Sequence, residues 1–123
     1  MTTEAVPSGT NLTLLVGTLS RPPEPRTLPS GDTVLGLELT VRADGSPAES
    51  VPLAWLGAPA GALGWAVGEE LLVAGRTRRR FFRAGGATQS RTEVVVTTAV
   101  PTRRSAAVQK ALAAALATVG VQL

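Results

Sequence analysis

Between residues 34 and 42 the chain alternates with period two. Leu35, Leu37, Leu39 and Val41 fall on one side; Val34, Gly36, Glu38, Thr40 and Arg42 fall on the other. Successive side chains of a strand point to opposite faces, so this segment is predicted to be a strand with one face in a core. Its backbone N–H and C=O groups need partners, and the rest of the sequence offers them. Residues 11–19 are rich in Leu and Val and break at Arg21-Pro22-Pro23-Glu24-Pro25, where three prolines exclude a central strand. Leu28-Pro29-Ser30-Gly31-Asp32 has turn chemistry, and residues 43–48 form a loop around Asp44-Gly45. Residues 49–56 alternate again, with Val51, Leu53 and Trp55 on one face and Ser50, Pro52, Ala54 and Leu56 on the other.

The second half of the chain changes character. Residues 69–82 read as one long strand that starts apolar (Leu71, Leu72, Val73) and becomes arginine-rich. Ala84-Gly85-Gly86-Ala87 is predicted to be a hairpin turn, after which residues 90–100 return as a β-branched strand ended by Pro101. Residues 57–68 are small and apolar and hold a short helix around 60–67. Ser105 is placed to cap an alanine-rich helix over residues 106–119, with Val108, Leu112, Leu116 and Val119 as its apolar stripe and Gly120 as its stop. Five strands with a helix between the third and fourth predict an all-β fold with minor helix: a five-stranded Greek-key OB-fold barrel plus a C-terminal α-helix. The organisation expected is a flexible arm over residues 1–10, an OB domain over 11–101 and the helical segment over 102–123.

Composition narrows the function. The 123 residues contain no Cys and no His, which removes disulfides, thiolate metal sites and most nucleophile–base pairs. The isolated carboxylates offer no cluster for Mg²⁺, so neither an enzyme nor a cofactor is expected. No apolar run approaches the roughly 18 residues of a membrane span, and no basic segment followed by an apolar one opens the chain. A cytoplasmic protein without a membrane partner is expected. Charge is unevenly spread. Residues 1–75 carry three basic groups against eight acids, whereas residues 76–123 carry nine against Glu93 alone. Six of those nine lie between Arg76 and Arg91, a basic stripe that suits a polyanion, although a solvated charged face would look the same.

Several segments, taken in order, resemble one family. They are Asn11-Leu-Thr-Leu-Leu-Val-Gly17-Thr-Leu, Pro23-Glu24-Pro25-Arg26-Thr-Leu-Pro29-Ser-Gly31, the strand from Val34 to Val41, Ala54-Trp55-Leu56-Gly57, Val67-Gly68-Glu69 through Val73-Ala74-Gly75-Arg76, and Ser90-Arg91-Thr92-Glu93-Val94-Val95-Val96. Together they resemble the bacterial single-stranded DNA-binding proteins over residues 11–100, with a few residues missing near 45. The resemblance implies non-catalytic, sequence-independent binding of single-stranded DNA in replication, recombination or repair, association with the nucleoid, and a homotetramer or dimer. Such proteins stack bases on aromatic rings and track the backbone with positive charge.

Within the arginine-rich strand, alternation puts Arg76, Arg78, Arg80 and Phe82 on one face, and Phe82 falls where the family carries a stacking tryptophan. Arg78, Arg80 and Phe82 are the favoured DNA contacts. Arg79 and Phe81 face the other way, as contacts or as plain solvated residues; Arg83 and Arg91 are electrostatic helpers. Arg26 is a contact carried over from the family, or a salt-bridge partner of Glu24 or Asp32. Trp55 and Trp65 are read as core or interface residues. The sequence also departs from the family. Gly45, Ser50 and Leu56 stand where it has stacking aromatics, and Val51 stands where a polar residue often fixes the tetramer. The acidic tip is missing, so recruitment of partners through an acidic tail is not expected. Binding weaker than the family norm and steeply salt-dependent follows. Two alternatives stay open: a primosome-type accessory protein acting through protein contacts, and an OB module used only for protein–protein assembly.

Overall fold

The alternating segment is β3 (Thr33–Val41), and the sheet is built around it. The computed structural model describes residues 6–122. In chain order the strands are β1 (Thr13–Leu19), β2 (Glu24–Thr27), β3, β4 (Glu49–Leu56), β5 (Glu70–Ala84) and β6 (Ala87–Pro101). A 3-10 turn, Ala60–Gly64, lies between β4 and β5, and α1 (Ser105–Ala117) follows β6. The fold is thus mostly β with one C-terminal helix. Of the arm expected over residues 1–10, residues 1–5 lie outside the described residues.

The sheet runs β1-β5-β6-β4-β3-β2 and closes on itself, because β1 also pairs with β3 at Thr18↔Thr40 and Leu19↔Leu39. Every pairing is antiparallel except β4 with β6, which run parallel at Leu53↔Val94 and Ala54↔Val95. A closed ring with this one parallel contact is the OB-like arrangement that the strand count predicts. Among the described residues there are six strands rather than five. The addition, β2, contains Pro25 and pairs with β3 alone, so it is an edge strand, where a residue without an N–H is tolerated. The three prolines exclude a central strand there, as expected, but not an edge one.

The inward face follows the sequence period. Leu35, Leu37 and Leu39 of β3 meet Leu53 and Trp55 of β4, Leu71 and Val73 of β5, and Val94 and Val96 of β6 in one buried cluster. Trp55 lies in this core, and Trp65 stacks on it with ring centroids 5.9 Å apart, so both tryptophans pack as expected. The apolar stretch before β5 forms the 3-10 turn rather than a longer helix and buries Ala62.

The C-terminal helix differs from expectation in two ways. It starts at Ser105 with Arg104 in the capping position and no side-chain cap. Its fully buried residues are Ala111 and Ala115, while Val108, Leu112, Leu116 and Val119 are half-buried. The helix lies on β5 and β6, where Ala74 and Gly75 form the surface beneath Ala111, Ala114 and Ala115. Gly120 ends the helix at φ +82°, as read from the sequence.

Ring closure depends on Gly17. An added Cβ there would stand 2.5 Å from the Thr40 carbonyl oxygen and 3.0 Å from a Val41 methyl, where β1 crosses from β5 to β3. Gly17→Ala is therefore expected to lower unfolding free energy by about 1–3 kcal/mol, the usual cost of overpacking. Urea denaturation checks this, as a fall in midpoint at unchanged m-value.

Candidate functional site

The arginines are arranged by one tight turn. Gly85 and Gly86 have φ of +59° and +80°, which is the geometry of a two-residue turn that twists with its strands. Counting outward from it, β5 and β6 pair Phe82↔Gln89, Arg80↔Arg91, Arg78↔Glu93 and Arg76↔Val95 on one face. On the other face they pair Arg83↔Thr88, Phe81↔Ser90, Arg79↔Thr92 and Thr77↔Val94. Contacts fix which face is which. Arg78 and Arg80 both reach Glu93, and the Arg80 guanidinium lies 5.6 Å from the centre of the Phe82 ring. Thr77 instead bonds the Thr13 hydroxyl at 2.7 Å. We call the Arg76–Phe82 side the front face and the Arg79–Phe81 side the back face. A bulge lies between Ala74 and Gly75, and the hairpin leaves the packed part of the ring beyond Thr77 and Val94, the last buried residue on the inner phase of β6.

Glu93 organises the front face. It is 2% exposed, the one charged residue buried among those described. Arg78 Nη2 donates to its Oε1 at 3.1 Å, and Arg80 Nη1 stands 4.0 Å from the same oxygen. A carboxylate out of water needs such partners. Arg78 is thus held first by Glu93, and its remaining exposed surface is what it can offer a ligand. Arg80 is held between Glu93 and the Phe82 ring. Directly across from it stands Arg91, a like-charge pairing that is unfavourable in a bare sheet.

Arg80 and Arg91 line a cavity of about 220 Å³ together with Arg21 and Arg26. Gly36, on the outward phase of β3, leaves room for it beside Ala54 of β4, its cross-strand neighbour. Three carboxylates share the lining: Glu24, Glu38 and Glu93. Glu38 is 3.8 Å from Arg21, and Glu93 is held by Arg78 and Arg80. Arg26 and Arg91 make no ion pair among the described residues, so the salt bridge considered for Arg26 with Glu24 or Asp32 does not form. The structure therefore brings Arg26, Arg78, Arg80 and Arg91 to one side of the sheet, next to Phe82. Arg76 lies farther along the front face, where it lines a second cavity of about 430 Å³ beneath α1. Arg79, Phe81 and Arg83 lie behind.

Sequence reasoning gave no site role to three residues. Arg21 sits among prolines and looks like a loop charge. Leu56, where the family has an aromatic, is 57% exposed and pairs with Val34, whose other neighbour is Arg26. Glu93 was visible only as the lone acid in a basic half. Its role follows from hairpin register, which the Gly85-Gly86 turn encodes. No cluster of His, Cys, Asp or Glu suited to a metal occurs among the described residues. In comparison with known proteins, no family model matches the chain and no curated protein matches it.

Removing the Arg78 side chain leaves a buried carboxylate with one distant cation. Arg78→Ala is expected to destabilise the fold by about 2–3 kcal/mol. Adding Glu93→Gln in the same chain should restore most of that loss, since no charge then needs a partner. Urea unfolding of the single and double variants measures this coupling; equal stability of the two would contradict it.

Proposed function

We propose that this chain is a non-catalytic OB-fold protein of the bacterial single-stranded DNA-binding kind, and that it holds single-stranded DNA across its front face. The observation that carries the reading is the opposed pair Arg80 and Arg91 in a cavity shared with Arg26. Two arginines at directly opposed positions of the hairpin, in a cavity lined by four arginines and three carboxylates, make a seat for an anion, and a phosphodiester supplies one at regular intervals. Arginine suits the role because its fork grips phosphate oxygens and its plane stacks on bases. Phe82, already ordered by the Arg80 guanidinium, supplies a ring face for a base. Nothing in the arrangement reads a base edge, which fits binding without sequence preference. The setting would be replication, recombination or repair at the nucleoid, with self-association as a dimer or tetramer.

One ring in the groove rather than several makes phosphate contacts the larger share of the affinity. Binding of labelled oligothymidylate should therefore weaken steeply with salt. Arg91→Ser and Arg26→Ser should each reduce the slope of log K against log salt by about 0.7, the value for one phosphate contact on a single strand. Phe82→Ala should cost about 1–3 kcal/mol with little change of slope. An affinity insensitive to salt would overturn the reading. Tight binding to helicase or primase with no strand binding at low salt would favour the accessory-protein alternative.

A further inference from the structure

Arg76 differs from the other arginines of β5 in its surroundings. It lines the cavity of about 430 Å³ beneath α1, a size usual for small-molecule sites. A bulge shapes this cavity. Ala74 pairs with Thr98 and Gly75 with Val96, so Thr97 is an extra residue on β6. Regular strand neighbours point to opposite faces, but a bulge re-aims side chains. Thr97 and Thr98, though consecutive, both line the cavity. Glycine is required at position 75, where an added Cβ would collide with the Val95 carbonyl oxygen.

The lining is divided by chemistry. Arg76, Thr97 and Thr98 bring a guanidinium and two hydroxyls to it. None of these three side chains has an ion-pair or hydrogen-bond partner among the described residues. The other hydroxyls of the lining are already used: Thr10 donates to the Pro7 carbonyl and Thr118 to the Ala115 carbonyl. Leu12, Ala111, Ala114 and Ala115 supply apolar surface. Among the described residues no carboxylate lines this cavity, whereas three line the arginine cavity of the front face. Asn11 fixes the wall nearest the N-terminus. Its side-chain amide donates to the Thr77 carbonyl at 2.7 Å and accepts from the Thr77 N–H at 3.0 Å, which extends the pairing of β1 with β5 by one step.

We propose that this cavity is a binding site for a small amphipathic anion. Its oxyanion head, a carboxylate or a phosphate, sits against Arg76, Thr97 and Thr98, and its apolar body lies along Leu12 and the alanines of α1. The head is anionic because the cavity offers an unpaired guanidinium and two hydroxyl donors with no acid beside them. The body is apolar because the opposite wall has no polar side chain to offer a sugar or a second charge. A nucleic-acid strand fits less well, since no aromatic ring lines the cavity to stack a base. The site is separate from the Arg80–Arg91 seat, and the inference does not rest on strand binding there.

The test is a fluorescence titration of the full chain with anilinonaphthalene sulfonate, an apolar ring system carrying one anionic group. Displacement by decanoate and by decyl phosphate follows. Wild type is compared with Arg76→Gln, which removes the charge, and with Ala114→Phe, which fills the apolar side. Both positions are exposed, and unfolding midpoints close to wild type confirm that the variants fold. Wild type should bind the probe at a single site, and at least one decyl anion should displace it, the tighter of the two identifying the head group. Arg76→Gln should bind about tenfold more weakly, and Ala114→Phe should not bind. Saturating decyl anion should raise the unfolding midpoint of wild type and leave that of Ala114→Phe unmoved. No binding by wild type, equal binding by all three proteins, or displacement by neither anion overturns the proposal. If oligothymidylate displaces the probe and Arg76→Gln weakens strand binding by the same factor, the cavity belongs to the strand path and the proposal also falls, while the front-face reading stands.

Discussion

The turn at Gly85-Gly86 sets the register of the longest strand pair in the molecule, and most of the structure follows from that register. Near the ring, β5 and β6 bring Leu71, Val73, Val94 and Val96 into the core. Nearer the turn the same two strands carry Arg78, Arg80, Arg91 and Glu93 on one face. A one-residue slip would exchange the faces of a strand. Leucines and valines would then point outward, and Glu93 would face away from both arginines. The core and the candidate site are consequently specified together, and core packing holds the arginines in place.

Glu93 changes what a row of arginines means. A basic stripe read from sequence looks like a set of equal, interchangeable charges. In the structure they have different tasks. Arg78 neutralises a carboxylate that has lost its water, Arg80 is shared between that carboxylate and a ring, and Arg91 faces Arg80 with no acid of its own. A buried ion pair contributes little net stability, but breaking one leaves an uncompensated charge. Substituting Arg78 thus disturbs the fold, and a loss of binding in that variant would not by itself assign Arg78 to the ligand. Arg91 and Arg26 report on binding more cleanly.

Much of the fold was legible in the sequence because its signals are local. Alternation at Leu35, Leu37 and Leu39 marks β3, glycine chemistry marks the hairpin turn, and Gly120 marks the end of the helix. The edge strand β2 was hidden because proline is a strong signal against strands and only topology reveals an edge that accepts it. The stripe Val108, Leu112, Leu116 and Val119 of α1 is half-buried, and the fully buried residues are Ala111 and Ala115 beside it, an offset that the apolar pattern alone does not reveal. At the site, alternation correctly grouped Arg78, Arg80 and Phe82. The cavity that joins Arg21 and Arg26 to Arg80 and Arg91 was not legible, since it depends on β2 and β6 meeting the same side of β3 and β4. Glu93 was recoverable in principle, by counting back from the turn.

On the proposed reading the front face holds phosphates at its arginines and a base at Phe82, while α1 covers another part of the same strands. These two surfaces give different signatures in solution. The most direct measurement is a backbone amide NMR titration of the full chain with unlabelled oligothymidylate. Strand binding at the arginine face should shift the amides of Arg26, Gly36, Arg80, Phe82 and Arg91 first and most, leaving the outer turns of α1 unmoved. Shifts confined to α1 and β1, or none at low salt, would contradict it.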